Sequence, residues 1–273
     1  MKNKKLLAII TIVQFLTILI FAVSTFAQNK TETMTIQAKD LDLKSIKPGN
    51  YSYLVYTKKT KQSGAENLFI ANITIEAKQY NGKSAFAITQ IWEKAEIPFH
   101  KAYTVLSATD GSTLYHETYW EQTGMTLKFD FDKKTVNFEG QPTEAFKPRI
   151  EQFKKKTETD FQNSFAAYNL NWHSDLIIFP MLPYKENRTI KVNFYDPGSS
   201  EAQIADYIVT GSETINASAG EKVDCWTVEH RSEKYKSVQK FWISKKTKEV
   251  LKEEDSFNNT YRFKIKLKTT ESN

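Results

Sequence analysis

From Ile208 to Leu267 apolar and polar residues alternate in one short stretch after another, and this period of two is what most limits how the chain can fold. The stretches are Ile208-Val-Thr-Gly-Ser-Glu-Thr-Ile, Val223-Asp-Cys-Trp-Thr-Val-Glu-His, Val238-Gln-Lys-Phe-Trp-Ile-Ser, Glu249-Val-Leu-Lys and Tyr261-Arg-Phe-Lys-Ile-Lys-Leu, with turn-forming residues at most joints. In the last of them Tyr261, Phe263, Ile265 and Leu267 alternate with Arg262, Lys264, Lys266 and Lys268. A strand places such residues on opposite faces, so the apolar face is expected to be buried and the cationic face wet. The reading is a run of antiparallel strands.

The same pattern opens the chain. After a turn at Pro48-Gly49-Asn50, Tyr51, Tyr53 and Val55 share one face, and Phe69, Ala71, Ile73 and Ile75 share another. Asn81-Gly82 predicts a type I′ hairpin, which needs positive φ at both central residues, between a strand ending near Tyr80 and one over Ser84–Glu93. Pro98 is expected to break the next connection, and Asp110-Gly111 to form a second hairpin of the same kind. Leu127, Phe129 and Phe131 then share a face, and Lys133-Lys134 turns into Val136–Phe138, giving about seven strands over 49–140.

Residues 141–187 break the pattern. Phe146, Ile150 and Phe153, and then Phe161, Phe165 and Tyr168, fall at helical spacing. Ser174 or Asp175 is placed to cap a short turn over Leu176–Phe179, which Pro180 and Pro183 keep from lengthening. Strands resume at Ile190, Val192 and Phe194 and turn at Asp196-Pro-Gly-Ser. The expected fold is all-β: a single strongly curved antiparallel sheet or incomplete β-barrel with a short helical or irregular lid from the middle of the chain. One β-rich domain over 28–273 is expected, with meanders at 49–140 and 188–268 and a lid-like connection at 141–187.

Residues 1–27 read as a signal peptide: Lys2, Lys4 and Lys5 precede a largely apolar run from Leu6 to Val23, and Thr25-Phe26-Ala27 supplies small residues for cleavage near Ala27. The expected address is the periplasm or the envelope. Residues 28–47 suit a tether or an edge. Cleavage removes three lysines from a formal charge of +6, and the remaining basic residues are scattered among acids, so no nucleic-acid partner is expected. The one cysteine, Cys225, allows no internal disulfide.

Five segments carry a resemblance: Asp175-Leu-Ile-Ile-Phe-Pro-Met-Leu-Pro-Tyr, Phe194-Tyr-Asp-Pro-Gly, Gly211-Ser-Glu-Thr-Ile, Val223-Asp-Cys-Trp and Phe241-Trp-Ile-Ser-Lys-Lys-Thr-Lys-Glu-Val-Leu-Lys. Together they resemble an uncharacterised family of exported bacterial β-proteins, a domain of unknown function loosely similar to lipoprotein-carrier half-barrels. The resemblance implies a curved sheet in the cell envelope and brings no catalytic residues.

Motifs for chemistry are sparse. His100, His116, His173 and His230 show no metal-ligand spacing, so ordinary surface or half-buried histidines are expected and no metal or other cofactor. Cys225 and His230 are five apart in a strand and face opposite ways, which favours an inert buried thiol. Glu117, Glu121, Asp130 and Asp175 are candidate carboxylates whose pairing the sequence does not reveal. No Gly-x-Ser-x-Gly elbow, phosphate-binding loop or dinucleotide fingerprint occurs, and no catalytic residue is assigned. Most of the five tryptophans are expected in the core. The exception is the proline-broken segment, where Trp172, Phe179 and Met181, near Leu182 and Tyr184, are the candidate ligand-binding residues. The leading expectation is a non-catalytic envelope protein that holds an apolar or amphiphilic ligand such as a lipid in the concave face of its sheet. A structural or assembly module binding another envelope protein is the alternative, and a carboxylate-dependent hydrolase the third reading.

Overall fold

In the computed structural model, which describes residues 31–268 except 218–219, 234–235 and 258–259, the strand pattern folds as one continuous curved sheet. Its first half runs β1 (Glu32–Thr35), β2 (Gly49–Lys58), β3 (Glu66–Tyr80), β4 (Lys83–Lys94), β5 (Ile97–Ser107), β6 (Thr113–Trp120), β7 (Met125–Asp130) and β8 (Thr135–Gly140). A middle section holds helix α1 (Ile150–Ser164), β9 (Leu170–Asn171) and the short helix α2 (Asp175–Ile178). The second half runs β10 (Arg188–Asp196), β11 (Ser200–Asn216), β12 (Lys222–Ser232), β13 (Ser237–Ser244), β14 (Val250–Phe257) and β15 (Thr260–Lys266). Spatial order is β1-β10-β11-β12-β13-β14-β15-β2-β3-β4-β5-β6-β7-β8, with β9 alongside β10. The sheet is strongly curved and does not close, as expected of an incomplete barrel. The expected signal peptide lies outside the described residues.

Turn chemistry explains the hairpins. Asn81 and Gly82 have φ of 49° and 77°, the type I′ geometry expected of them. Ala95 and Glu96, at φ 50° and 64°, make a turn of the same sense without the residues that normally signal it. Pro98 consequently breaks nothing: it is the second residue of β5, paired with Glu93 beside a register shift where its missing N–H is tolerated. Asp110-Gly111 also departs from expectation. Only Gly111 is left-handed there, and Ser107 N–H bonds to the Ser112 carbonyl at 2.8 Å across a four-residue loop. The Asp110 carboxylate stabilises that loop by accepting from the Ser112 N–H at 3.0 Å.

The inward faces of β2–β4 and β10–β13 carry the main core, including Tyr53, Ile73, Ile88, Val192, Tyr207, Val228 and Phe241. Helix α1 has fifteen residues, longer than the short helix expected. Its apolar face, with Phe161 fully buried and Ile150 and Phe153 partly so, packs against Phe129, Phe131, Phe138 and Tyr195. It therefore fills the space between β7–β8 and β10–β11, where the open sheet would otherwise expose both inner faces. Phe165 and Tyr168 continue the sequence spacing but lie beyond the helix end.

Strand β15 overturns one expectation outright. The period of two is present, but its sense is reversed: Lys264 pairs with Val55 and faces inward, while Phe263 pairs with Tyr56 on the convex side. The Phe263 and Tyr56 rings stack at 5.1 Å, and the Lys252 ammonium lies 5.7 Å from the Phe263 ring. Lysine stems thus cover the outer aromatics, while the inner cations meet carboxylates instead of water.

Candidate functional site

The central stretch that the sequence suggested as a lid is the filling of the concave face. Every residue from Ser174 to Leu182 is buried, and α2 gives way after Ile178 to a 3-10 turn containing Pro180. Phe179 and Met181 are fully buried, with the Phe179 ring 4.3 Å from Phe241 and 5.0 Å from Tyr207. Trp172 is half-buried and edge-on to Phe194 at 4.9 Å. The three candidate residues are brought into one region, but only Trp172 borders open space. Beside Tyr53, Leu176 and Ile177 the filling leaves a void of about 30 Å³.

Two openings lie side by side, because the residue pair Arg262–Thr57 across β15 and β2 contributes one member to each. The first is a polar cleft of about 800 Å³ bordered by Trp172, Tyr207, His230, Arg231, Asp255 and Arg262. The second is an apolar groove of about 670 Å³ walled by Leu68, Phe69, Ile97, Phe99 and Trp120. Phe69 meets Phe99 edge-on at 5.1 Å, and Trp92 meets Trp120 likewise at 5.5 Å, so the wall is a packed aromatic cluster. Leu68 and Ile97 are 46% and 67% exposed at its rim. Their apolar character was visible in the sequence. Their adjacency was not, since it depends on the Ala95-Glu96 turn.

Beneath the polar cleft sits a buried charge network. Lys264 Nζ lies 3.1 Å from Asp175 Oδ2 and 2.6 Å from Glu253 Oε2, and Arg262 Nε donates to Asp255 Oδ2 at 2.7 Å. Glu253 is fully buried and Asp255 is 2% exposed. Burial, reinforced by the Asp255 carboxylate, pushes the Glu253 carboxyl up to about 8. Asp175 is thus the one predicted carboxylate drawn into a cluster. Glu117 instead accepts from the Tyr115 hydroxyl and Asp130 pairs with Lys133, while Glu121 borders the apolar groove.

Three of the four histidines also converge, a grouping that their spacing in the sequence conceals. His100 and His116 are fully buried, whereas ordinary surface or half-buried positions were expected. His100 Nδ1 lies 2.8 Å from the Tyr119 carbonyl, and its Nε2 lies 2.8 Å from His173 Nε2. A neutral His100 must donate through Nδ1, so its Nε2 accepts from the His173 Nε2–H. His116 Nδ1 lies 2.9 Å from the Thr104 hydroxyl. Desolvation first, and then His173, lowers His100 to about 3, while desolvation carries His116 well below the ordinary histidine range. Both are neutral imidazoles that fasten the central stretch to β5 and β6. Among the described residues, no group of three or more His, Cys, Asp or Glu is arranged to hold a metal ion. Cys225 is buried, and desolvation raises its thiol to about 11.

No curated protein sequence matches the chain. Solved structures similar to it include a β-barrel-like protein of the domain of unknown function DUF1849 from Brucella abortus, with 9% identity, 81% of this chain and 96% of that chain covered, and a TM-score of 0.36. Another is the hypothetical lipoprotein YmcC from Escherichia coli, with 11% identity, coverage of 92% and 95%, and a TM-score of 0.26. A third is a putative outer membrane lipoprotein-sorting protein domain from Vibrio parahaemolyticus, with 10% identity, coverage of 83% and 88%, and a TM-score of 0.27. The family described as "Protein of unknown function (DUF3108)" matches residues 52–267, which is most of the chain, and the chain belongs to that family.

Proposed function

We propose that this protein is an exported, non-catalytic component of the cell envelope, in the periplasm or attached to the membrane, that holds an amphiphilic ligand at the openings of its curved sheet. The observation that carries this reading is the apolar groove, where Leu68 and Ile97 stand exposed beside Phe69, Phe99 and Trp120. An apolar chain placed there would cover surface that is otherwise wet, while a polar headgroup would reach the neighbouring cleft at Trp172. Phe179 and Met181 act here as the floor that keeps Trp172 in place. The test is native mass spectrometry with lipid extraction on protein purified gently from its own envelope. A co-purifying amphiphile of defined mass that is lost in Leu68→Asp supports the reading; a clean apo mass with no amphiphile uptake overturns it.

One observation favours an assembly role as a second reading: among the described residues, β8 ends the sheet and pairs with β7 alone. Crosslinking from an engineered cysteine at Asn137 to a distinct envelope protein would support it, and its absence in intact cells would remove it.

A further inference from the structure

Strands β11 to β15 each run from the polar cleft at one end to a second groove, of about 960 Å³, at the other. On β12 the two ends are marked by His230 and Lys222, roughly 25 Å apart at about 3.3 Å per residue. Ile215, Val223, Leu251, Ile265 and Leu267 give this groove its apolar lining, and all five are only half-buried. Six lysines border it against three acids, Glu221, Asp224 and Glu249, whereas the polar cleft has two arginines against Asp196, Asp206, Glu233 and Asp255. Lys245 pairs with Asp224 at 3.2 Å, Lys266 with Glu249, and Lys252 with Glu254 at 3.5 Å. Among the described residues Lys222, Lys246 and Lys268 have no carboxylate partner, and all three are exposed. Of the three acids only Glu221 remains to offset them. Two half-buried rings lie under lysines at this end: the Lys245 ammonium is 4.4 Å from Trp226, and that of Lys266 is 5.0 Å from Tyr51.

We infer that this end of the sheet docks on an anionic phospholipid bilayer, with Lys222, Lys246 and Lys268 at the phosphates and the half-buried apolar side chains at the acyl boundary. The charge sets the sign of the partner: an uncompensated group of exposed ammoniums is attracted to a negative surface. The apolar lining sets its kind. The three free lysines stand on different strand ends around one apolar floor, so the partner must offer anionic and apolar groups together over a broad front. A bilayer interface does this, with acyl chains directly beneath its phosphates, and long lysine stems can lie along the apolar part while their ammoniums stay among the headgroups. Half-buried Trp226 and Tyr51 suit the same boundary, where amphipathic rings are favoured. Docked in this way, the protein holds both openings on the side away from the bilayer. The inference does not depend on a ligand in those openings, because it uses the opposite ends of the strands.

The test is flotation of the purified protein with vesicles of phosphatidylcholine alone and with vesicles in which about one-third of the lipid is phosphatidylglycerol, at about 0.05 M and about 0.5 M salt. At low salt the anionic vesicles should bind about thirtyfold more tightly, the effect of a surplus of two cations at a negative surface, and high salt should remove most of that preference. Lys222→Gln with Lys246→Gln should abolish the preference. Lys101→Gln with Lys155→Gln, which lowers the net charge equally at exposed sites elsewhere, should keep it. All four lysines are exposed and without ion pairs, so both pairs of substitutions should leave folding intact. Equal binding to the two kinds of vesicle, or equal loss of preference in the two pairs, overturns the inference. Binding of polyglutamate but of neither vesicle also overturns it, and assigns the surface to acidic proteins instead.

Discussion

Lys264 carries a residue-scale lesson about what alternation can and cannot say. The sequence shows that Lys264 and Phe263 face opposite ways, but not which of them faces inward. That depends on Asp175, eighty-nine positions away, and on Glu253 across the β14–β15 ladder. Removing the cation leaves Asp175 and Glu253 without their shared partner in a dry site, so Lys264→Met is expected to destabilise the fold by about 3–5 kcal/mol in urea denaturation. The same network makes stability depend on pH. Glu253 titrates near 8 in the fold against an ordinary value of 4.5, so the native state binds its proton more tightly. Its contribution is complete below pH 4.5 and is lost as pH rises towards 8. His100 and His116 act in the opposite sense: their folded pKa values lie below 6.5, so the stability they confer is present above pH 6.5 and is lost as pH falls. Between pH 6.5 and 8 the Glu253 slope stands alone, at up to about 1.4 kcal/mol per pH unit. Unfolding free energy measured across that window should fall in the wild type and stay nearly flat in Glu253→Gln. A flat wild-type profile would show that Glu253 is ionised in the fold.

At the scale of elements, the central stretch separates what was legible from what was not. Pro180 and Pro183 correctly limit the helix, and the run from Leu176 to Phe179 correctly reads as apolar. A short apolar run looks the same whether it covers a cavity or fills one, so the sequence suggested a lid where the fold has a plug. The histidine cluster was hidden for a related reason. Its members come from β5, β6 and the plug, and only the strand register places His116 opposite Thr104. Strand faces, by contrast, were readable in β2, β3 and β7, whose buried residues fall at a period of two, but not in β5, where the consecutive residues Thr104–Ser107 are all buried. If the plug is the core, its members must differ sharply in energy. Phe179→Ala should cost about 3–5 kcal/mol, as for a fully buried aromatic. Trp172→Ala, at the half-exposed border, should cost clearly less. Equal losses in thermal or urea unfolding would mean that the cleft is closed in solution.

At the scale of the molecule, the two meanders are joined where the sequence gives no hint, by the last strand. β15 pairs with β2 from Tyr261↔Lys58 to Lys266↔Tyr53, and the Tyr53 hydroxyl reaches across to the Val250 carbonyl at 3.0 Å. The plug adds a second connection, since the main core draws on β2–β4, the plug and β10–β13 together. With two independent ties of this kind, neither meander can open without exposing the apolar face of the other, so the sheet is expected to unfold as one unit. Cys225 supplies the readout. It lies in β12, fully buried, with its thiol raised to about 11, so alkylation requires that the second meander open. Far-UV circular dichroism, in turn, sums the strands of both meanders. In a urea series, alkylation of Cys225 and loss of the circular dichroism signal should share one midpoint. A two-step dichroism curve, with alkylation following only one of the steps, would instead mean that the β15–β2 ladder is a joint between two domains.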